Sequence, residues 1–459
     1  MFTQGLSHFI RTTNFDDLPP QLVASAKDAV LDFFGVAMSG SQEPSGKMVQ
    51  ELVKENRSVP EAAVIGGRFK ASCALAALAN GNSSHAQDFD DCLDFPAAGL
   101  AHPTTGVFPA VLALGEKFKL SGKDLLTAYC LGVEAYGMIG LMTSEKRVGH
   151  TGWESTGSLG IMGAAAAVSK LLNLNERQTV MALGIAATMS CGLHRSFGSM
   201  AGHIHGGNAA RHGIEAGFLA QKGYTATLEG VIEGPNGYYN AFSGDPEPVT
   251  EAIQQKYLDM LGNPWNIIDP GLMIKAYPCA HISHFGTYGG LQLRKKYSID
   301  WHQIEKIEFQ VPQVMRRIAA APEPRDGTQA RFSLVYCMCR ALIHGEMDFS
   351  FFTDEAVKDP DTRQLVGKVN WVFLEERSGP FENQEITLTM KDGTVFSYRV
   401  EHPKGEPQNP HTPEELAAKY RKCARFAGYN DETIERVKDM VLDLEHVSDI
   451  SSLTGLLIE

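Results

Sequence analysis

The sequence predicts a mainly α-helical protein: a large all-helical domain built from both chain ends, with a smaller α+β domain set between them. Three observations carry that expectation. Apolar residues recur at helical spacing through most of the first 260 positions, strand-like alternation sets in only after Asp269, and helix-start signals return at Thr412. The boundaries implied are 1–267 for the helical domain, 268–400 for the α+β domain, and 401–459 for a connector and C-terminal helices that return to the first domain.

The elements follow in order. Leu22, Ala26, Ala29, Val30, Phe33, Phe34 and Ala37 form one apolar stripe, behind Pro19 and Pro20 where a helix would begin. Small apolar residues fill Ala71 to Leu78, and Val107–Phe118 and Leu125–Met142 read as two further helices. Gly157–Leu172 and Gly206–Ala220 are rich in Gly and Ala and predict helices that approach closely. No strand–helix rhythm runs through this region, which argues against a doubly wound sheet. Further on, Ile307, Phe309 and Val311 alternate with Glu308 and Gln310, a strand that ends at Pro312. Phe332–Ile343 reads as a helix, and Asp392-Gly393 between Ile386–Met390 and Thr394–Val400 marks a hairpin. After a proline-rich connector at His402–Pro410, Thr412, Pro413 and Glu415 spell a capping box.

Composition narrows the function classes. A formal net charge of −13 over 459 residues argues against nucleic acid, because phosphate binding needs a basic face. Met1–Phe15 lacks a signal-peptide core and no segment reaches the length of a membrane span, so the expected location is the cytoplasm, without a membrane partner. The eight cysteines include no C-x-x-C pair, which suits reduced, buried thiols rather than a zinc or iron–sulfur site.

The densest polar cluster lies in Asn82–Cys92 and Ala101–Gly106. It sets Asp88, Asp90, Asp91 and Asp94 with His85 and His102 between alanine-rich segments. Charge placed there costs free energy unless it is paired, solvated or used. The aspartates could also simply cap the next helix and face water. Four more groups stand out: His150 and Glu154 in Gly149–Gly157, His203 and His205 in Ala201–Gly207, Lys275, His281 and His284 in Lys275–His284, and Tyr336 in Arg331–Tyr336. His203 and His205 have the spacing of a metal-binding pair on a strand, but no strand is evident there and no metal is expected. Lysine, histidines, a tyrosine and paired carboxylates together suit proton abstraction beside a carboxylate, with cations steadying the charge that develops.

These segments resemble the MmgE/PrpD family. The resemblance covers nearly the whole chain. It is carried by H-x-x-D-F-D-D at His85–Asp91, His102-Pro103, the Gly157–Ala167 segment, His205-Gly-Gly-Asn-Ala-Ala-Arg-His-Gly213, Lys275-Ala-Tyr-Pro-Cys279, Phe332-Ser-Leu-Val-Tyr336 and His402-Pro-Lys-Gly-Glu-Pro407. It implies a helical body with a smaller α+β lid, a homodimer, an active site between body and lid, and no metal or organic cofactor. By motif it assigns catalytic roles to Asp88, His102, Lys275 and Tyr336. His85, Cys92, His150, Glu154, His203, His281 and His284 are candidates for substrate binding.

The chain also departs from the family's decarboxylase-like members. They carry a histidine where this chain has Glu154, a lysine where it has Gly202, and a threonine where it has Cys92, and the histidine after the cysteine segment falls nearest Ala280. A site with fewer cations and one more acid should hold a tricarboxylate less well. The expected function is a cofactor-independent lyase, of dehydratase or decarboxylase type, moving a proton at the carbon alpha to a carboxylate of a small di- or tricarboxylic acid. Three alternatives remain open at this level. One is epimerisation by the same proton abstraction. Another is a catalytically altered member serving as a binding subunit. The third is a magnesium–diphosphate enzyme, suggested by Asp90-Asp91-Cys92-Leu93-Asp94.

Overall fold

Proline-led helix starts and small-residue contacts build most of the chain. The computed structural model describes residues 1–95, 99–144, 152–313, 315, 323–374 and 383–458. They fall into a helical unit (1–86, 90–274 and 412–459) and a smaller unit (87–89 and 275–411).

The helical unit runs through α1 (Phe2–Thr12), α2 (Pro20–Gly40), α3 (Pro44–Glu55) and α4 (Cys73–His85). It continues with α5 (Pro103–Phe118), α6 (Gly122–Ser144), α7 (Ser155–Leu171), α8 (Glu176–Met189) and α9 (Met200–Gln221). Two short hairpins interrupt them: β1 (Ala62–Val64) with β2 (Phe69–Ala71), and β3 (Leu93–Phe95) with β4 (Gly99–Ala101). Pro20, Pro44 and Pro103 each open a helix, where the missing N–H costs nothing. The glycine- and alanine-rich segments do what their composition predicts. A Cβ on Gly81 of α4 would lie 2.7 Å from Gly207 Cα of α9, and one on Gly163 of α7 would lie 2.7 Å from the Gly132 carbonyl of α6.

Both chain ends join this unit. The helix Pro413–Phe426, opened by the expected Thr412–Glu415 capping box, lies on α2, where Lys419 pairs with buried Asp32 and a Cβ on Gly35 would lie 3.2 Å from Tyr420 Cα. Helix α6 is long and apolar enough to cross a membrane, but 94% of its apolar window is buried, which makes it a core helix.

In the smaller unit the strands β5 (Ile304–Pro312), β6 (Val369–Leu374), β7 (Gln384–Met390) and β8 (Val395–Val400) form one sheet in the order β6-β5-β7-β8. The β5–β6 pair is parallel and the other two pairs are antiparallel. Ile307, Phe309, Ile386 and Leu388 form one buried face with Leu293 of helix His284–Tyr297 and Met338 of helix Leu334–His344. The β7–β8 turn is the expected Asp392-Gly393, with Gly393 at φ +89°.

Candidate active site

A short hairpin assembles the first cluster. In β3–β4, Leu93 pairs with Ala101, so Cys92 and the aspartates before it lie beside His102, which follows β4. Helix α4 ends at His85, close to the same carboxylate. His85 Nδ1 lies 3.0 Å from Asp90 Oδ2, and His102 Nδ1 lies 3.1 Å from that oxygen and 2.9 Å from the Asp91 carbonyl. The two rings meet edge-on with centroids 4.6 Å apart. The Asp90 carboxylate and the Asp91 carbonyl are acceptors, so a hydrogen on each Nδ1 satisfies these contacts and leaves each Nε2 as the second functional nitrogen.

Adjacent aspartates have opposite fates. Burial works against ionisation of Asp90, but His85 and His102 outweigh it and hold the carboxyl well below the usual range. Burial pushes Asp91 up to about 8, against the Thr104 hydroxyl that donates to it; Asp32 and Asp90 push it in the same direction as burial. Thr104 also meets the Tyr129 hydroxyl at 2.5 Å. Asp91 is thus a neutral acid at pH 7, beside an ionised neighbour. The water-facing alternative is overturned, because Asp88, Asp90 and Asp91 are only 8%, 2% and 1% exposed. Hydrogen-bonded partners offset the cost of burying them. Cys92 is buried as well, and its backbone exchanges two hydrogen bonds with Met273.

Glu154 caps α7. Its carboxylate accepts the N–H of Thr156 and of Gly157, each at 2.9 Å, and lies 2.9 Å from His205 Nδ1 of α9. Burial opposes its ionisation, yet His205 and the two amides bring it down to about 2. The Thr156 hydroxyl in turn accepts the backbone N–H of His102 at 3.3 Å, which ties this pair to the first cluster. His203 is turned to another partner, with Nδ1 2.9 Å from Ser45 Oγ.

The smaller unit carries the second cluster. The backbone of Asp88 is left-handed, at φ +48°, a region aspartate tolerates better than most residues. Lys275, 1% exposed, pairs with its carboxylate and donates to its carbonyl at 2.8 Å. Arg331 donates to the carbonyls of Gln87 at 3.2 Å and Pro278 at 2.9 Å. His284 Nε2 lies 3.2 Å from the carbonyls of Tyr277 and Cys279, and burial, with His281 and Lys275 nearby, keeps its pKa well below the ordinary value. His281 stacks on His284 and lies 3.4 Å from Glu406. The Tyr336 hydroxyl donates to the Phe351 carbonyl and accepts from Arg340 Nε at 3.0 Å. Burial raises it to about 12 despite Arg340.

Within the helical unit, then, His85, Cys92, His102 and Glu154 come together. Within the smaller unit Asp88 joins Lys275, and His281 joins His284. His150 lies outside the described residues. Two participants lie outside the predicted site residues: His205, which opens the His205–Gly213 motif and has the spacing of a metal pair with His203, and Arg331, which opens Arg331–Tyr336; no local pattern announces the partner of either. His85, Asp90 and His102 have the composition of a metal site, their ligand atoms lying within 4.8 Å of one another. With the hydrogens on Nδ1 the same three residues are joined by hydrogen bonds at Asp90, and a nitrogen that donates a hydrogen has no lone pair for a metal; with the hydrogens on Nε2 they could be ligands.

The helical unit carries buried imidazole–carboxylate groups and the smaller unit a buried ammonium–carboxylate pair, side chains suited to acid–base chemistry. The MmgE/PrpD N-terminal domain model matches residues 4–251 and the MmgE/PrpD C-terminal domain model matches residues 277–445. The chain belongs to the MmgE/PrpD family and is a lyase-type enzyme. It is 28% identical to a cis-aconitate decarboxylase of Mus musculus, over 99% of this chain and 93% of the relative, and 27% identical to that of Homo sapiens, over 99% and 94%. A mitochondrial 2-methylcitrate dehydratase of Yarrowia lipolytica is 24% identical over 70% of this chain and 64% of its own length.

Proposed function

We propose that the protein moves a proton at the carbon alpha to a carboxylate of a small di- or tricarboxylic acid, with loss of water or of carbon dioxide and without metal or organic cofactor. The observation that carries this is the buried Asp90 carboxylate shared by His85 and His102. A carboxylate on Nδ1 stabilises the imidazolium that forms when Nε2 takes a proton, the logic of any carboxylate–histidine pair. His102 is the base in this scheme and His85 the second proton carrier. Lys275, held on Asp88, binds the substrate carboxylate and steadies the enolate-like charge, with Arg331 beside it in the same unit. Tyr336 acts as a positioning residue through Arg340.

In dehydration the C–H electrons form the double bond as the C–O bond breaks, and the departing hydroxide takes an imidazolium proton and leaves as water. In decarboxylation the C–C bond breaks to release carbon dioxide and the carbanion takes that proton. Relatives named for a decarboxylation and a dehydration support the class. A cytoplasmic homodimer completes the proposal. All eight cysteines are free thiols, in keeping with a reducing compartment.

The test is solvent deuterium exchange into a panel of di- and tricarboxylic acids. An active enzyme labels the alpha carbon of its substrate, and His102→Ala and Lys275→Ala each remove the label while the fold persists. Full activity in both variants refutes the assignment, and label without net elimination moves the reaction to epimerisation.

A further inference from the structure

The first turn of a helix offers free N–H groups and the positive end of the helix dipole, and an imidazole beside it adds a further donor. In α7 the anion that takes these donors is the chain's own Glu154, bonded to Thr156 and Gly157 and paired with His205. The pair is sealed: Glu154 is 1% exposed and His205 6%. It also lies close to the proposed base along the chain's own bonds, because the Thr156 hydroxyl accepts the backbone N–H of His102.

We propose that Glu154, with His205, is a specificity-determining pair: a built-in carboxylate that fills the position a substrate carboxylate would otherwise take, so that the substrate is a dicarboxylate with a neutral third substituent rather than a tricarboxylate. This rests on the carboxylate chemistry proposed above. The partners within the helical unit agree. Asp90 already stands on His85 and His102, and Glu154 on His205, so each of these three imidazoles has a carboxylate of the chain itself. Asp91 adds no charge while it stays neutral. Nor does position 202 supply another cation: it is glycine, and a Cβ there would lie 3.1 Å from the Ser196 carbonyl, so a side chain needs that carbonyl to give way.

The test compares two unreactive probes, butanedioate and propane-1,2,3-tricarboxylate, by titration calorimetry on the full-length protein. The wild type should prefer the dicarboxylate. Glu154→Gly, which empties the position and leaves His205 and the Thr156 and Gly157 amides to a third carboxylate, should shift the affinity ratio toward the tricarboxylate by about tenfold or more, the size of a charge-assisted hydrogen bond. The same variant supplies a second readout that does not need the probes: propionate, the fragment deleted, should raise its melting temperature and leave the wild type unmoved. A wild type that binds the tricarboxylate as tightly as the dicarboxylate overturns the inference, as does an unmoved ratio in Glu154→Gly or no propionate rescue of it. Deuterium exchange separates the two levels. Exchange with an unmoved ratio sinks this inference alone, whereas no exchange and no binding of either probe sinks the proposed reaction and this inference with it.

Discussion

Replacing Lys275 by Met deletes one ammonium and keeps the apolar stem. In the wild type that ammonium is 1% exposed, pairs with the Asp88 carboxylate and bonds its carbonyl at 2.8 Å. Burial decides the magnitude. An exposed pair is worth about 0–1 kcal/mol, whereas removing one partner of a buried pair costs about 3–5 kcal/mol, because the remaining carboxylate keeps its desolvation penalty. With a urea slope of about 1–3 kcal/mol per molar, the unfolding midpoint of residues 275–411 should fall by roughly 1–5 M. Adding Asp88→Asn removes the stranded charge, and asparagine accepts the left-handed backbone at this position. The double variant should therefore regain most of the lost stability but none of the turnover. That split separates the structural from the chemical role of Lys275. A single-variant loss below about 1 kcal/mol would refute the buried-pair reasoning. Turnover that returns together with stability would refute the catalytic assignment.

Three further outcomes follow from the same geometry. Asp90→Asn keeps an acceptor for one ring but removes the charge that stabilises an imidazolium, and kcat should fall about 10- to 100-fold with the fold intact; an unchanged kcat argues against the His85–Asp90–His102 unit. Asp91 has a folded pKa raised to about 8, so its contribution is fully present below the unfolded value, near pH 4, and is lost as pH rises through about 8. The stability of Asp91→Asn relative to wild type should accordingly climb by up to about 1.4 kcal/mol per pH unit in that window, and a flat difference in urea melts would show that Asp91 is not held neutral. Gly81→Ala places a Cβ 2.7 Å from the Gly207 backbone and should cost about 1–3 kcal/mol by forcing α4 and α9 apart, read as a lower melting temperature.

What the sequence made legible followed the strength of local signals. Proline starts, the Thr412 capping box and the Asp392-Gly393 turn are short-range chemistry, and helices and strands appear where they point. The strand Val369–Leu374 is hard to read because Val372 and Leu374 are apolar as well, which masks the alternation of Val369, Trp371 and Phe373 that pack on the core. Residues 87–89 group with residues 275–411, a partition that three residues cannot announce by periodicity. In the site, the acids and His102 were visible as residue types. What joins them is the Leu93–Ala101 pairing, a property of the β3–β4 register. Glu154 was recognised as a departure, but its partner His205 comes from another helix, and only packing at the glycine-lined contacts of α9 selects it.

The contrast between Asp90 and Asp91 ties stability to chemistry. Two neighbouring carboxylates in a dry interior cannot both ionise cheaply, so the environment divides them. The imidazoles claim Asp90, and burial, with Asp32 and Asp90 itself adding negative charge, keeps the proton on Asp91. His102 Nδ1 lies between them, bonded to the Asp91 carbonyl and paired with the Asp90 carboxylate. A second negative charge at Asp91 would face the Asp90 carboxylate across this ring and add to the burial cost of both. Keeping Asp91 neutral therefore leaves a single carboxylate charge beside His102. The one proton on Asp91 governs both how firmly this part of the helical unit holds together and how many charges the imidazoles must offset.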